Sequence, residues 1–201
     1  MKHLKKILSI VVIVLTYTAV TAQSNDSLFY RHSFQTNIVG LGIERWGVAY
    51  ELRLTPQHAI FVQGGGSFPY ISEEKEYGFG LHYKYFLQPV KDAKFLWLFK
   101  SAYRNNFLDL NLRYMNLDGI HNDSEFVYEA FFIGAGAGQT YVWNSGFTIS
   151  YWLGYGPPIN AEYKWKNSVP EDGDSYAKMY KYSSGLDIGF SIGYSFGANK
   201  N

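Results

Sequence analysis

Apolar and polar positions alternate strictly from residue 185 to 196. Leu186, Ile188, Phe190, Ile192, Tyr194 and Phe196 share one face, and Gly185, Asp187, Gly189, Ser191, Gly193 and Ser195 share the other. Period two is the signature of a strand, whose successive side chains point to opposite faces. The bulky apolar face is continuous, and the opposite face is small and polar. A narrow barrel interior has room for the small face, so the apolar face must look outward. That is an inside-out barrel with lipid as its outer solvent.

The same alternation predicts seven earlier strands. They cover 32–42, 45–55, 59–68, 77–88, 95–116, 126–143 and 147–156. In the second, Trp46, Val48, Tyr50, Leu52 and Leu54 oppose Gly47, Ala49, Glu51 and Arg53. In the fourth, Tyr77, Phe79, Leu81, Tyr83 and Tyr85 oppose Gly78, Gly80, His82 and Lys84. Within 95–116 the apolar parity flips after Asn105-Asn106. Two readings account for it: a long strand with a bulge at the asparagine pair, or an interfacial segment over 95–103 followed by a strand from Phe107. The bulged strand is preferred.

Connections alternate as well. Compact turns follow the second, fourth and sixth strands, and longer polar loops follow the third (69–76), fifth (117–124) and seventh (157–184). Short turns on one side and long loops on the other are the pattern of an outer-membrane barrel, and an even strand count puts both termini on the periplasmic side. The expected fold is therefore all-β, an eight-stranded antiparallel up-and-down transmembrane β-barrel.

The start of the chain adds an address. Lys2, Lys5 and Lys6 precede an apolar run that ends near Val20, and Ala22 follows. This describes a cleaved signal peptide over 1–22, and the run is too short for a spanning helix. A leader over 23–31 and a barrel domain over 32–201 follow. There is no cysteine, hence no disulfide or lipoprotein attachment. Removing the three signal lysines leaves 18 − 3 = 15 basic against 17 acidic side chains, a balance that offers nucleic acid no basic surface. With 18 Tyr, 15 Phe and 20 Gly, the composition suits strands and girdles of interfacial aromatics. Trp46, Phe68, Tyr77, Tyr114 and Tyr155 fall toward one rim, and Tyr85, Tyr141, Trp143, Phe147, Tyr194 and Phe196 toward the other.

By these features the chain resembles the small outer-membrane β-barrels of Gram-negative bacteria, the OmpX-like proteins and the barrel of OmpA-like proteins. The most specific part is Asp187-x-Gly189-x-x-Ile192-x-Tyr194, followed by Ser195-Phe196 and a short tail. It is similar to the insertion signal read by the barrel assembly machinery. The resemblance implies outer-membrane lipid and lipopolysaccharide as surroundings. With few residues after Phe196, the resemblance leads to the expectation of a barrel without a peptidoglycan-binding domain.

Parity sends Glu51, Arg53, Gln63, His82, Lys84, Asp109, Arg113 and Asp187 inward. Paired charges filling the lumen are expected rather than an ion path, since eight strands enclose little more than their own side chains. Some relatives of this size modify lipid A acyl chains, which calls for a Ser-His-acid set at the lipid face. His82 points inward instead, and His121 with Asn122, Asp123, Ser124 and Glu125 lies in a predicted loop. A lipid A enzyme is thus the alternative to a non-catalytic protein. No spacing points to a metal or other cofactor, and a soluble lipocalin-like barrel fails on face polarity. In the 157–184 loop, Tyr163, Lys164, Trp165 and Lys166, with Tyr176 and Tyr180, predict a raised hairpin turning at 169–174. Its aromatics would form an exposed patch for an extracellular ligand or protein.

Overall fold

The computed structural model describes residues 30–38, 45–68, 75–87 and 89–198. The expected signal peptide, and the leader up to residue 29, lie outside the described residues. In chain order the strands are β1 Tyr30–Asn37, β2 Arg45–Arg53, β3 His58–Ser67, β4 Lys75–Phe86, β5 Val90–Lys91, β6 Lys94–Phe95 and β7 Phe99–Lys100. Then come β8 Tyr103–His121, β9 Ser124–Val142, β10 Phe147–Tyr155, β11 Pro158–Trp165, a helix α1 Gly173–Ser183 and β12 Leu186–Ala198.

Eight of these strands close a ring, β1-β2-β3-β4-β8-β9-β10-β12, and β12 pairs back onto β1. Every pairing in the ring is antiparallel, so the fold is an up-and-down barrel. Its outer wall carries Val48, Phe79, Leu110, Ile133, Leu153 and Ile188, each at least half exposed. Its inner wall carries Ser33, Glu51, Lys84, Asp109, Asn111, Thr140, Ser150 and Ser191, each at most 3 % exposed. The apolar set recurs every second residue, as period two requires.

Three expectations are corrected. First, no bulge occurs at Asn105-Asn106. β8 holds one register on β9 from Tyr103↔Val142 to His121↔Ser124, and one on β4 from Phe86↔Phe107 to Lys75↔Asp118. Parity only seemed to flip because Tyr103 and Phe107 are large apolar side chains that point inward. Second, 117–124 is not a loop. The strands continue to a two-residue turn, Asn122-Asp123, with φ of 47° and 61°. These values fit a type I′ turn, which asparagine and aspartate tolerate better than bulkier residues do. Third, the link after β4 is not compact. It carries β5 and a small β6–β7 hairpin, and Phe95 of that hairpin covers the girdle residue Tyr141, ring centroids 5.2 Å apart.

At the end opposite the termini, the β8–β9 hairpin rises above the ring and β11 joins the free edge of β9. The expected hairpin over 157–184 is only half present: β11 forms its first arm, and α1 replaces the second. Tyr176 and Tyr180 are four residues apart, so one helical face holds both. They close over Leu117, Phe126, Tyr128, Ala130 and Phe132 together with Tyr163 and Trp165. Burying each large ring stabilises by about 1.5–3 kcal/mol, enough to hold this distal extension together as a small core of its own. Asp174 in the first turn and Lys181 in the last also suit the helix dipole.

Candidate functional site

Lumen chemistry is built from alternate residues of neighbouring strands. Glu51 on β2 accepts a bond from Lys84 Nζ at 3.0 Å and from Arg53 Nε at 3.5 Å. Lys84 also lies 3.6 Å from the Phe61 ring centroid and 4.7 Å from that of Phe107. Arg53 stacks over Phe86 at 3.8 Å. The carboxylate thus faces two cations, and each cation faces a ring. Charges this deeply buried persist only with such partners.

A second cluster lies beside the first. His82 Nδ1 is 3.0 Å from Asp109 Oδ2, and His82 Nε2 is 2.9 Å from Gln63 Nε2. Asn111 Nδ2 donates to Asp109 at 2.9 Å and reaches Asp187 at 3.5 Å. Trp152 Nε1 donates to Asp187 Oδ1 at 3.2 Å, and Arg113 Nε stands 3.9 Å from Asp187 Oδ2. Arg113 also donates to the Gly185 carbonyl at 2.7 Å. All eight inward residues expected from parity therefore take part in two touching networks. Two of the carboxylates, Glu51 and Asp187, meet the three permanent cations Arg53, Lys84 and Arg113, while Asp109 meets His82 and Asn111.

Sequence reasoning assigned no metal site, yet His82, Asp109 and Asp187 bring ligand atoms within 4.8 Å of one another. Protein donors already meet both carboxylates, His82 and Asn111 at Asp109 and Trp152 and Arg113 at Asp187. It also missed Asn111 and Trp152. Trp152 had a legible signal: it is the one bulky side chain on the inward parity of β10, among Thr148, Ser150 and Gly154. Above these networks the lumen widens into a cavity of about 620 Å³. Gly47, Gly65 and Gly78 face one another across β2, β3 and β4 along its wall.

The insertion-signal residues Asp187, Gly189, Ile192, Tyr194 and Phe196 all lie on β12. Packing alone explains the glycine. A Cβ at Gly189 would fall 1.9 Å from Cζ2 of Trp152. Gly189→Ala is expected to cost about 1–3 kcal/mol by overpacking, read as a lowered urea midpoint. Adding Trp152→Leu should return part of that loss, less what is lost with the bond from Trp152 Nε1 to Asp187. A loss that the second change leaves untouched would mean that the Trp152 ring is not what excludes a side chain at 189.

The surface residues are placed differently from expectation. Tyr163, Trp165, Tyr176 and Tyr180 are half-buried in the distal core, while Lys164 and Lys166 stay exposed. Burial pushes the Tyr163 hydroxyl pKa up. His121 stacks on Tyr176 at 3.7 Å, and its Nε2 is 3.1 Å from Asp172, the residue that immediately precedes α1. Asn122 Nδ2 donates to the same carboxylate at 3.2 Å.

The His121 bond holds the Asp172 carboxyl below its ordinary value of 3.8. A depressed carboxyl pKa means that this clasp contributes in full above 3.8 and is lost as pH falls through the lower, folded value. Carbon-13 titration of Asp172 should show its inflection below 3.8. An inflection at or above that value would mean that the clasp does not form in solution.

No protein-family model matches the chain, and no curated protein matches it. Among solved structures it is similar to the crystal structure of the N-terminal β-barrel domain of Pseudomonas aeruginosa OprF. The match covers 82% of this chain and 94% of that one, at 14% identity and a TM-score of 0.50. At that identity the likeness speaks for the barrel fold alone.

Proposed function

We propose that the chain is an integral outer-membrane β-barrel protein, non-catalytic, with a structural or surface-binding role. The observation that carries this reading is inverted polarity: aliphatic and aromatic side chains outside, paired charges inside. In water such a wall would be an aggregation surface, whereas in a bilayer it is the correct solvent face. On this reading lipid and lipopolysaccharide surround the belt, both termini face the periplasm, and the distal extension stands outside the cell. The assembly machinery recognises the closing strand. Lys164, Lys166 and the outer face of α1 are the surface offered to an extracellular partner.

The test is outer-membrane fractionation together with heat-modifiable migration on a gel. Recovery of the protein as a soluble periplasmic species would overturn the assignment. Planar-bilayer recording should show no sizeable stable conductance, because the Glu51–Lys84 and Asp109–Asp187 networks fill the ring.

Catalysis on lipid A is disfavoured by placement. Both ring nitrogens of His82 face lumen partners, Asp109 and Gln63, and not a serine at the lipid face. Mass spectrometry of lipid A from cells with and without the gene checks this, and an altered acyl pattern would revive the enzyme.

A further inference from the structure

The strongest unexplained feature is the tip of the β6–β7 hairpin. Leu96, Trp97, Leu98 and Phe99 are 64%, 89%, 80% and 58% exposed. They form an apolar tip at the end of the barrel that carries the termini. Leu98 N–H donates to the Phe95 carbonyl at 3.2 Å, with φ of 50° at Leu96 and 60° at Trp97. This is a left-handed turn of the kind that favours Asn-Gly, occupied instead by two bulky apolar residues. Turn geometry does not account for them, and neither does burial within the protein.

The hairpin does not stand over the barrel mouth. Phe95 lies edge-on to Tyr141 and Trp143, with ring centroids 5.2 and 6.3 Å away. Tyr141 has the outward parity of the barrel wall, so the hairpin leans against the outside of the ring beside its aromatic rim. The tip therefore continues the apolar belt. Lys91, Lys94 and Lys100 are exposed around it, and among the described residues Asp92 offsets them, 3.0 Å from Lys100. Apolar residues at a tip with lysines behind it are the chemistry of an element lying in a lipid interface. The rings and aliphatic chains enter the acyl boundary while the ammonium groups stay with the phosphates.

We infer that residues 94–100 form an interfacial anchor that inserts Leu96, Trp97, Leu98 and Phe99 into the phospholipid leaflet on the terminal side of the barrel. This rests on the membrane reading above, and it adds a contact that the barrel wall alone does not make. The anchor fixes the height and tilt of the barrel on that side, where the other turns, at 54–57 and 143–146, are short.

The absence of cysteine allows a clean test. Leu98→Cys, Leu112→Cys and Asn122→Cys are each spin-labelled in the full chain, refolded into vesicles of phosphatidylethanolamine and phosphatidylglycerol. Heat-modifiable migration checks folding of each variant. Collision with oxygen is then compared with collision with a water-soluble nickel chelate. The label at 98 should favour oxygen several-fold over the label at 122, and less strongly than the label at 112. If 98 matches 122 while 112 reads as deep, the anchor is wrong and the membrane reading stands. Shielding of 98 from both reagents would place protein over the tip and also overturn the anchor. If 112 itself reads as aqueous, the membrane reading falls, and the anchor with it.

Discussion

Glu51→Leu is expected to destabilise the folded barrel by about 3–5 kcal/mol, because it strips the shared partner from two buried cations. Arg53 and Lys84 would then face each other across an apolar side chain, at 4% and 1% exposure. The converse change should cost less. Lys84→Met leaves Glu51 with Arg53 at 3.5 Å and keeps the space under Phe61 and Phe107 filled. The expected order is therefore Glu51→Leu well below Lys84→Met, with the double variant regaining part of the loss. Urea unfolding from lipid vesicles, followed by heat-modifiable migration, reads this order. Equal midpoints for the two single variants would show that Glu51 does not hold the two cations together.

Leu110→Arg should cost about 2–4 kcal/mol and lower the inserted fraction, the scale found for arginine on the lipid face near the bilayer midplane. Leu110 is 62% exposed and lies between Tyr83 of β4 and Ala135 of β9, in the middle of the outward stripe. Tyr155→Arg, on the distal rim, should cost only about 0–1 kcal/mol, since the penalty falls toward the interface. Leu110→Phe, apolar and exposed at the same place, serves as the control. If arginine costs the same at 110 and 155, the outer wall does not face lipid.

How far the sequence revealed all this depends on which side chains obeyed the simple code. Along β2 and β12, and along β4 and β10 apart from Phe86 and Trp152, small or polar residues face in and large apolar ones face out, so parity alone placed Glu51, His82, Lys84 and Asp187. The code broke on β8 and β9, where Tyr103, Phe107, Leu117, Phe126 and Tyr128 are large and face in. The apolar Tyr103 on the inward parity suggested a bulge, and the polar make-up of 117–124 suggested a loop, where one continuous hairpin runs. The helix was hidden differently. Tyr176, Lys178 and Tyr180 fit alternation as well as Tyr176 and Tyr180 fit a helical face, and eleven residues are too few for period to decide. The pairing of charges in the lumen depends on the stagger between strands, which no single strand encodes. The likeness to the OprF domain adds the ring and not the chemistry inside it.

The unbroken β8–β9 ladder also bears on the order in which the wall is raised. Its two staves meet across a turn of two residues, so little chain has to be gathered before the first bonds form. β1 is the opposite case. Only eight residues long, it joins β12 at a sequence distance of most of the chain, as in the pair Phe34↔Tyr194. Closing so long a loop is entropically the more expensive step. The ring is thus expected to have a seam: the β8–β9 hairpin forms early, and β1 against β12 is the joint that closes last.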